Sequence, residues 1–282
     1  MCDLGKGDKV KSNVDIFTYL SEIFHMHFAK TLKTENAQYQ LCRDANGKNN
    51  PLVVSKNFLN DGEKIIDFNN HFTYLESRDN YHRQEKIFDK ENRRCNFQNV
   101  DLAWFMDYAF DKQSQENKNA LIKFWINSCV NMNFDLGCGK NIGLIYLDKP
   151  GHERKFRVAP AFDNSFCVLT NQNPEVLEIY KNLINQLKLG FNPKNLAYVK
   201  QNFRPTLDGY MQNITGVLDD STNLQDLCMS FATDEIAEYA KLFEKPAVPD
   251  VNKDKLATFG VELFGGYKNH LKLLSTQYDR LK

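Results

Sequence analysis

The chain has 282 residues and sets 36 Lys and Arg against 36 Asp and Glu, so its formal net charge is zero. Hydrophobic residues make up 42% and charged ones 26%, which excludes a disordered or fibrous chain and fits one large globular domain or two lobes. A balanced charge argues against a bulk electrostatic grip on nucleic acid, which needs clustered unpaired Lys and Arg, and leaves local basic patches open; no apolar run reaches the roughly 20 residues that span a bilayer.

The opening residues carry no charged-then-apolar secretory pattern. Seven cysteines, Cys2, Cys42, Cys95, Cys129, Cys138, Cys167 and Cys228, form no C-x-x-C pair, and the odd count reads as free thiols in a reducing compartment. The expectation is a soluble, cytoplasmic protein with no membrane partner, or one exported by a route that reads no N-terminal signal.

Residues 1–12 are polar and rich in Gly and Lys and read as loose. Ile16, Leu20, Ile23, Phe24, His27, Phe28 and Leu32 then recur at helical spacing and predict a helix over 14–32. Two β-like runs follow, AQYQLC and PLVVSKNFL, and the Asn46-Gly47 pair between them is a hairpin signal. Residues 60–97 are rich in Asn, Asp, Arg and Glu and read as a linker with helical pieces.

Val100, Ala103, Trp104 and Tyr108 predict one helix, and a second is expected over about 115–131, with Leu121, Ile122, Trp125, Cys129 and Met132 on one face. Two short strands, NIGLIYL and KFRVAP, flank the turn DKPGHE. Beyond Asp163 the pattern is helical. Asn173-Pro174 starts one helix that Gly190 ends, and Gly260, Phe264, Tyr267, Leu271, Leu274, Tyr278 and Leu281 space out a last helix packed on the core. The fold class that follows is α+β, with residues 1–97 as a small lobe and linker and 98–282 as a mainly helical large lobe.

The stretch that carries chemistry is NFDLGCGKNIGLIYL, followed after eight residues by RVAPAFDNS. It holds an aspartate in a loop after a helix (Asp135), an asparagine opening a strand (Asn141) and an aspartate beyond the second strand (Asp163). Phosphoryl transfer asks for such a set: a carboxylate to orient and deprotonate the attacking hydroxyl, and oxygen ligands for Mg²⁺ at the nucleotide phosphates. A hairpin between Asn141 and Asp163 is expected to return the two side chains to one place. Taken singly, Asp135 reads equally as a turn aspartate, and Phe-Asp-Asn-Ser at 162–165 as a helix N-cap.

The order of residues resembles the HipA-like serine/threonine kinases, which comprise bacterial toxin kinases and host-translocated relatives. That family carries N-x-D-x-H-x-x-N, a short hairpin and P-x-[FY]-D. This chain offers Asn133-Phe134-Asp135, then Asn141-Ile142-Gly143-Leu144, then Pro160-Ala161-Phe162-Asp163. Upstream, Ser21-Glu22, Tyr39 to Leu41 and Ser55-Lys56-Asn57-Phe58 look like the small-lobe core of the family. The resemblance spans about residues 16–170. It implies a two-lobe protein-kinase-like fold with a reduced N-terminal lobe. It further implies ATP and Mg²⁺ as cofactors and a serine or threonine on a protein as acceptor. Asp135 becomes the catalytic base, Asn141 and Asp163 the Mg²⁺ ligands, and Glu22 the nucleotide-site glutamate that pairs with an ATP-binding lysine.

The pattern departs from the family in two places. The Asp-to-Asn interval is 141 − 135 = 6 where the family has five, and Gly137-Cys138-Gly139 stands where its histidine would. Glycines absorb backbone changes that other residues resist. No glycine-rich loop precedes the first helix; Gly5-Lys6-Gly7 is a fragment of one, and Lys9 and Lys11 are the lysines near it. The alternative function is therefore a degenerate kinase acting as a binding or regulatory module with a partner protein. Without a clear lysine, Glu22 reads equally as a solvated helix glutamate. His25 and His27 do not form a metal pair, since residues two apart on a helix diverge. Cys138 reads as a loop-filling thiol, and Lys56 and Lys140 as surface lysines.

Overall fold

The computed structural model describes residues 9–12, 16–34, 36–43, 51–67, 70, 101–110, 113–131, 142–147, 156–160, 162, 190–235 and 253–281. The fold mixes helix and sheet, is mostly helical, and contains two three-stranded sheets among the described residues. Two compact units are each gathered from segments distant in sequence. One comprises 1–57, 163–189 and 213–275, and the other 58–162, 190–212 and 276–282.

In the first unit, α1 (Ile16–Thr31) carries Ile23, Phe24, Met26, Phe28 and Ala29 into the core, close to the span that the apolar spacing predicts. It ends where Lys33 turns into the left-handed region at φ 54° and Thr34 N–H donates to Ala29 O at 2.8 Å, which satisfies a carbonyl of the last turn. The sheet orders β1 (Lys9–Ser12), β3 (Pro51–Ser55) and β2 (Tyr39–Arg43), both outer strands antiparallel to β3. The β2–β3 hairpin is the one signalled by Asn46-Gly47, whose turn lies outside the described residues. Strand β1 corrects, at Lys9–Ser12, the expectation that residues 1–12 are loose; residues 1–8 lie outside the described residues. A short edge strand is made by hydrogen bonds to its neighbour, and its own sequence needs no apolar alternation.

The core of this unit is a cluster of rings. Phe24 meets Phe231 at 5.1 Å and Tyr267 at 5.0 Å between centroids, and Phe28 meets Tyr267 at 4.8 Å. Phe231 opens a π-helical turn (Phe231–Glu235) after a helix spanning Thr222–Ser230. Tyr267 comes from the long helix Lys253–Asp279, whose buried stripe runs Gly260, Leu263, Tyr267, Leu271 and Leu274. Phe264 is only half-buried, and Leu281 lies past the helix end and is exposed, so the expected stripe is shifted by one position at Phe264. The helix expected between Asn173 and Gly190 lies outside the described residues.

In the second unit, α2 (Leu102–Ala109) starts at Asp101, whose carboxylate accepts from Trp104 N as an N-cap. Helix α3 (Gln115–Asn131) is buried from Leu121 to Asn131 apart from Lys123. Its Trp125 stacks on Phe191 at 5.4 Å, and its Asn127 Oδ1 accepts from Tyr210 Oη at 2.9 Å. Helix α4 (Pro193–Asn202) is capped by Asn192. Helix α5 spans Arg204–Asp219. The second sheet orders β4 (Glu63–Asp67), β5 (Gly143–Leu147) and β6 (Phe156–Val158), all antiparallel.

Strand β4 corrects, at Glu63–Asp67, the reading of 60–97 as a linker with helical pieces; residues 68, 69 and 71–97 lie outside the described residues. Glu63, Lys64 and Asp67 hide the strand from a search for apolar alternation. Ile65 and Ile66 bring it onto β5 across some eighty residues of chain. Gly62 makes the turn into β4 at φ +79°, a conformation that favours glycine.

Cys129 and Cys228 are free and buried, and burial pushes both thiols up to about 12. Cys42, on β2, is disulfide-bonded, which corrects the expectation that every thiol is free. Among the described residues, no helix is long and apolar enough to cross a membrane.

Candidate functional site

The hairpin that the sequence places between Asn141 and Asp163 is present. Leu144 pairs with Val158, Ile145 with Arg157 and Tyr146 with Phe156. Strand β5 is the middle strand, flanked on both sides, and Gly143 to Tyr146 are all buried. A strand covered on both faces reads as a continuous apolar run, and GLIYL is one. The ladder ends with Ala159 N–H donating to Gly143 O at 2.8 Å.

Gly143 has no room for a side chain. A Cβ there would lie 2.6 Å from Ile65 Cδ1, 3.0 Å from Phe162 Cε1 and 3.1 Å from Ala159 Cβ. The two arms of the hairpin thus meet at Gly143 and Phe162, the first two residues beyond Asn141 and the second directly before Asp163. Phe162 also stacks on Phe58, with ring centroids 6.1 Å apart.

Polar contacts hold the hairpin from both sides. Arg157 on β6 donates to Glu63 twice, through Nε at 3.0 Å and Nη2 at 2.6 Å, and Nη2 also reaches Phe58 O at 3.1 Å. The guanidinium holds the Glu63 carboxyl down to about 2, against an ordinary 4.5. At the outer edge of β6, Phe156 N–H donates to Gln113 Oε1 at 3.2 Å, and Phe156 O accepts from Asn117 Nδ2.

Asp135, Asn141 and Asp163 themselves lie outside the described residues. Asn131, the last residue of α3, precedes the segment that carries Asp135. Its side chain is 1% exposed, and its Oδ1 finds no donor among the described residues. Glu22 on α1 is fully buried, which removes the solvated-glutamate reading. Lys9 and Lys11 belong to β1.

His25 is fully buried with Nε2 3.2 Å from Tyr267 Oη. His27 is half-exposed, its pKa lowered by burial and then by Lys30, so the two rings diverge as the helical spacing requires. Glu63, Arg157 and Gly143 were not singled out by sequence reasoning. Only the glycine at the head of a strand offered a signal, since strand glycines mark close backbone approach.

No protein-family model matches the chain, and no curated protein matches it significantly in sequence. Among solved structures it is similar to CtkA, a proinflammatory kinase of Helicobacter pylori. The TM-score is 0.49 at 13% identity, over 98% of this chain and 88% of CtkA. It is also similar to HipA of Shewanella oneidensis MR-1, solved with HipB and operator DNA. There the TM-score is 0.43 at 14% identity, over 96% of this chain and 60% of the HipA chain. These are likenesses of shape at low identity, and the chemistry is read from the chain's own residues.

Proposed function

We propose that the chain is an ATP- and Mg²⁺-dependent serine/threonine protein kinase of the HipA-like type. The observation that carries the reading is the meeting of Gly143 with Phe162, which draws together the chain flanking Asn141 and Asp163. An asparagine and an aspartate offer hard oxygen donors that suit Mg²⁺, and on this reading they hold it against the nucleotide. When bound, Mg²⁺ neutralises charge on the phosphates. Asp135 accepts the proton of the serine or threonine hydroxyl. Glu22, buried on α1, is assigned to the nucleotide site as the partner of a lysine.

The test is radiolabelled phosphate incorporation beside calorimetric titration with Mg·ATP. Asp135→Ala should keep most nucleotide affinity and lose about 100- to 10,000-fold in transfer, the usual contribution of a positioned base. Asp163→Ala should lose metal-dependent binding and transfer together. Transfer that survives Asp135→Ala overturns the base. Wild type that neither binds nor transfers leaves the degenerate, partner-binding reading, which the six-residue interval between Asp135 and Asn141 favours.

A further inference from the structure

We propose that Tyr267 is a positioning residue for Glu22: through His25 it fixes the rotation of α1 and, with it, the direction of the Glu22 carboxylate. The inference rests on the kinase reading, which assigns Glu22 to the nucleotide site, and it names what orients that residue. All three residues lie in the first unit. Glu22 and His25 are fully buried, and Tyr267 is 1% exposed. Glu22 stands three residues before His25 on α1, so the two share one face of the helix, a turn apart.

The contacts that α1 makes in this core are of two kinds. Phe24 packs on Phe231 and Tyr267, and Phe28 packs on Tyr267, at angles from 43° to 70° between ring planes. Ring packing sets how closely the helices approach, and it accepts a range of orientations. His25 Nε2 and Tyr267 Oη instead meet at 3.2 Å inside the same cluster. A hydrogen bond needs both atoms in one place and weakens steeply as its angle opens. The ring of Tyr267 thus adds bulk, and its hydroxyl adds direction. A rotation of α1 that the rings tolerate breaks the hydroxyl contact. The same rotation swings Glu22, one turn away on the same helix, through the same angle.

The experiment is calorimetric titration with Mg·ATP, with melting temperature measured alongside. Four proteins are compared with wild type: Tyr267→Phe, Tyr267→Phe with His25→Leu, Glu22→Gln, and Glu22→Gln with Tyr267→Phe. Tyr267→Phe keeps the ring and removes the hydroxyl. It should lower the melting temperature and weaken Mg·ATP about 10-fold, a usual coupling within one contact network. Replacing both partners of a buried hydrogen bond by apolar groups is close to neutral for stability. Adding His25→Leu should therefore recover melting temperature and leave the affinity low. Glu22→Gln should itself weaken Mg·ATP. In that background Tyr267→Phe should change affinity by less than about 2-fold, the usual limit for a residue with no further effect of its own. If Glu22→Gln does not fold, Tyr267→Phe and its pairing with His25→Leu decide.

Affinity that returns together with melting temperature on adding His25→Leu reduces the contact to packing and overturns the inference. Losses that multiply in Glu22→Gln with Tyr267→Phe overturn it as well. Wild type that binds Mg·ATP while Tyr267→Phe matches it removes the inference alone. Wild-type affinity in Glu22→Gln removes Glu22 from the nucleotide site and the inference with it. Wild type that binds no Mg·ATP removes the kinase reading and the inference together.

Discussion

The ring cluster around Phe24 and the hairpin of β5 and β6 are both largely buried, yet they are held by different kinds of force. Phe24, Phe28, Phe231 and Tyr267 meet at mixed angles, from stacked to edge-on. Burial of apolar area is non-directional, so such a cluster tolerates changes of shape better than changes of volume. The hairpin is fixed by contacts that each need one atom in one place: two nitrogens of Arg157 on Glu63, a carboxamide at each polar group of Phe156, and a missing side chain at Gly143. Bulk holds the first region together, and direction sets the geometry of the second.

The largest expected effect breaks the ring cluster by volume. Phe24→Ala should cost about 3–5 kcal/mol, read by urea denaturation, while Phe24→Leu, which changes the shape and gives up much less volume, should cost clearly less. Equal losses would show that the rings are held by direction too.

An intermediate effect separates the hairpin. Glu63→Gln should cost about 1–2 kcal/mol at neutral pH, because Arg157 is 38% exposed and solvent screens the pair. Glu63→Asp should cost as much, since the shorter chain cannot reach both nitrogens. The folded carboxyl titrates near 2, below its ordinary 4.5. Its contribution is thus complete above 4.5 and is lost as pH falls toward 2. Melts at pH 7 and pH 3 should show the gap between wild type and Glu63→Gln narrowing in acid; a constant gap would remove the ion pair as its source.

The smallest effect lies at an exposed pair. Lys194→Ala should change stability by no more than about 0.5 kcal/mol, because Lys194 is 72% exposed where it meets Asp101. Asp101→Ala should cost about 1 kcal/mol, since that carboxylate also caps α2.

These regions differ as much in legibility as in force. Helix α1, helix α3 and the hairpins β2–β3 and β5–β6 follow from local spacing and turn residues, and their observed bounds lie within a few residues of those expected. Strands β1 and β4 do not. KVKS and EKIID carry no amphipathic pattern, and each becomes a strand only because β3 or β5 offers it an open edge. At the candidate site, the order of Asp135, Asn141 and Asp163 is written in the sequence, and so is the hairpin between the last two. That Gly143 is a contact point, and that Glu63 reaches Arg157, depend on neighbours some eighty to ninety residues away.

Gln113 and Asn117 hand their side-chain amides to the free edge of β6 at Phe156. Those groups are the ones that an incoming extended segment would take up, and an open sheet edge is a template for pairing with another chain. In the folded chain the two amides occupy, at Phe156, the positions that a further strand's backbone would take.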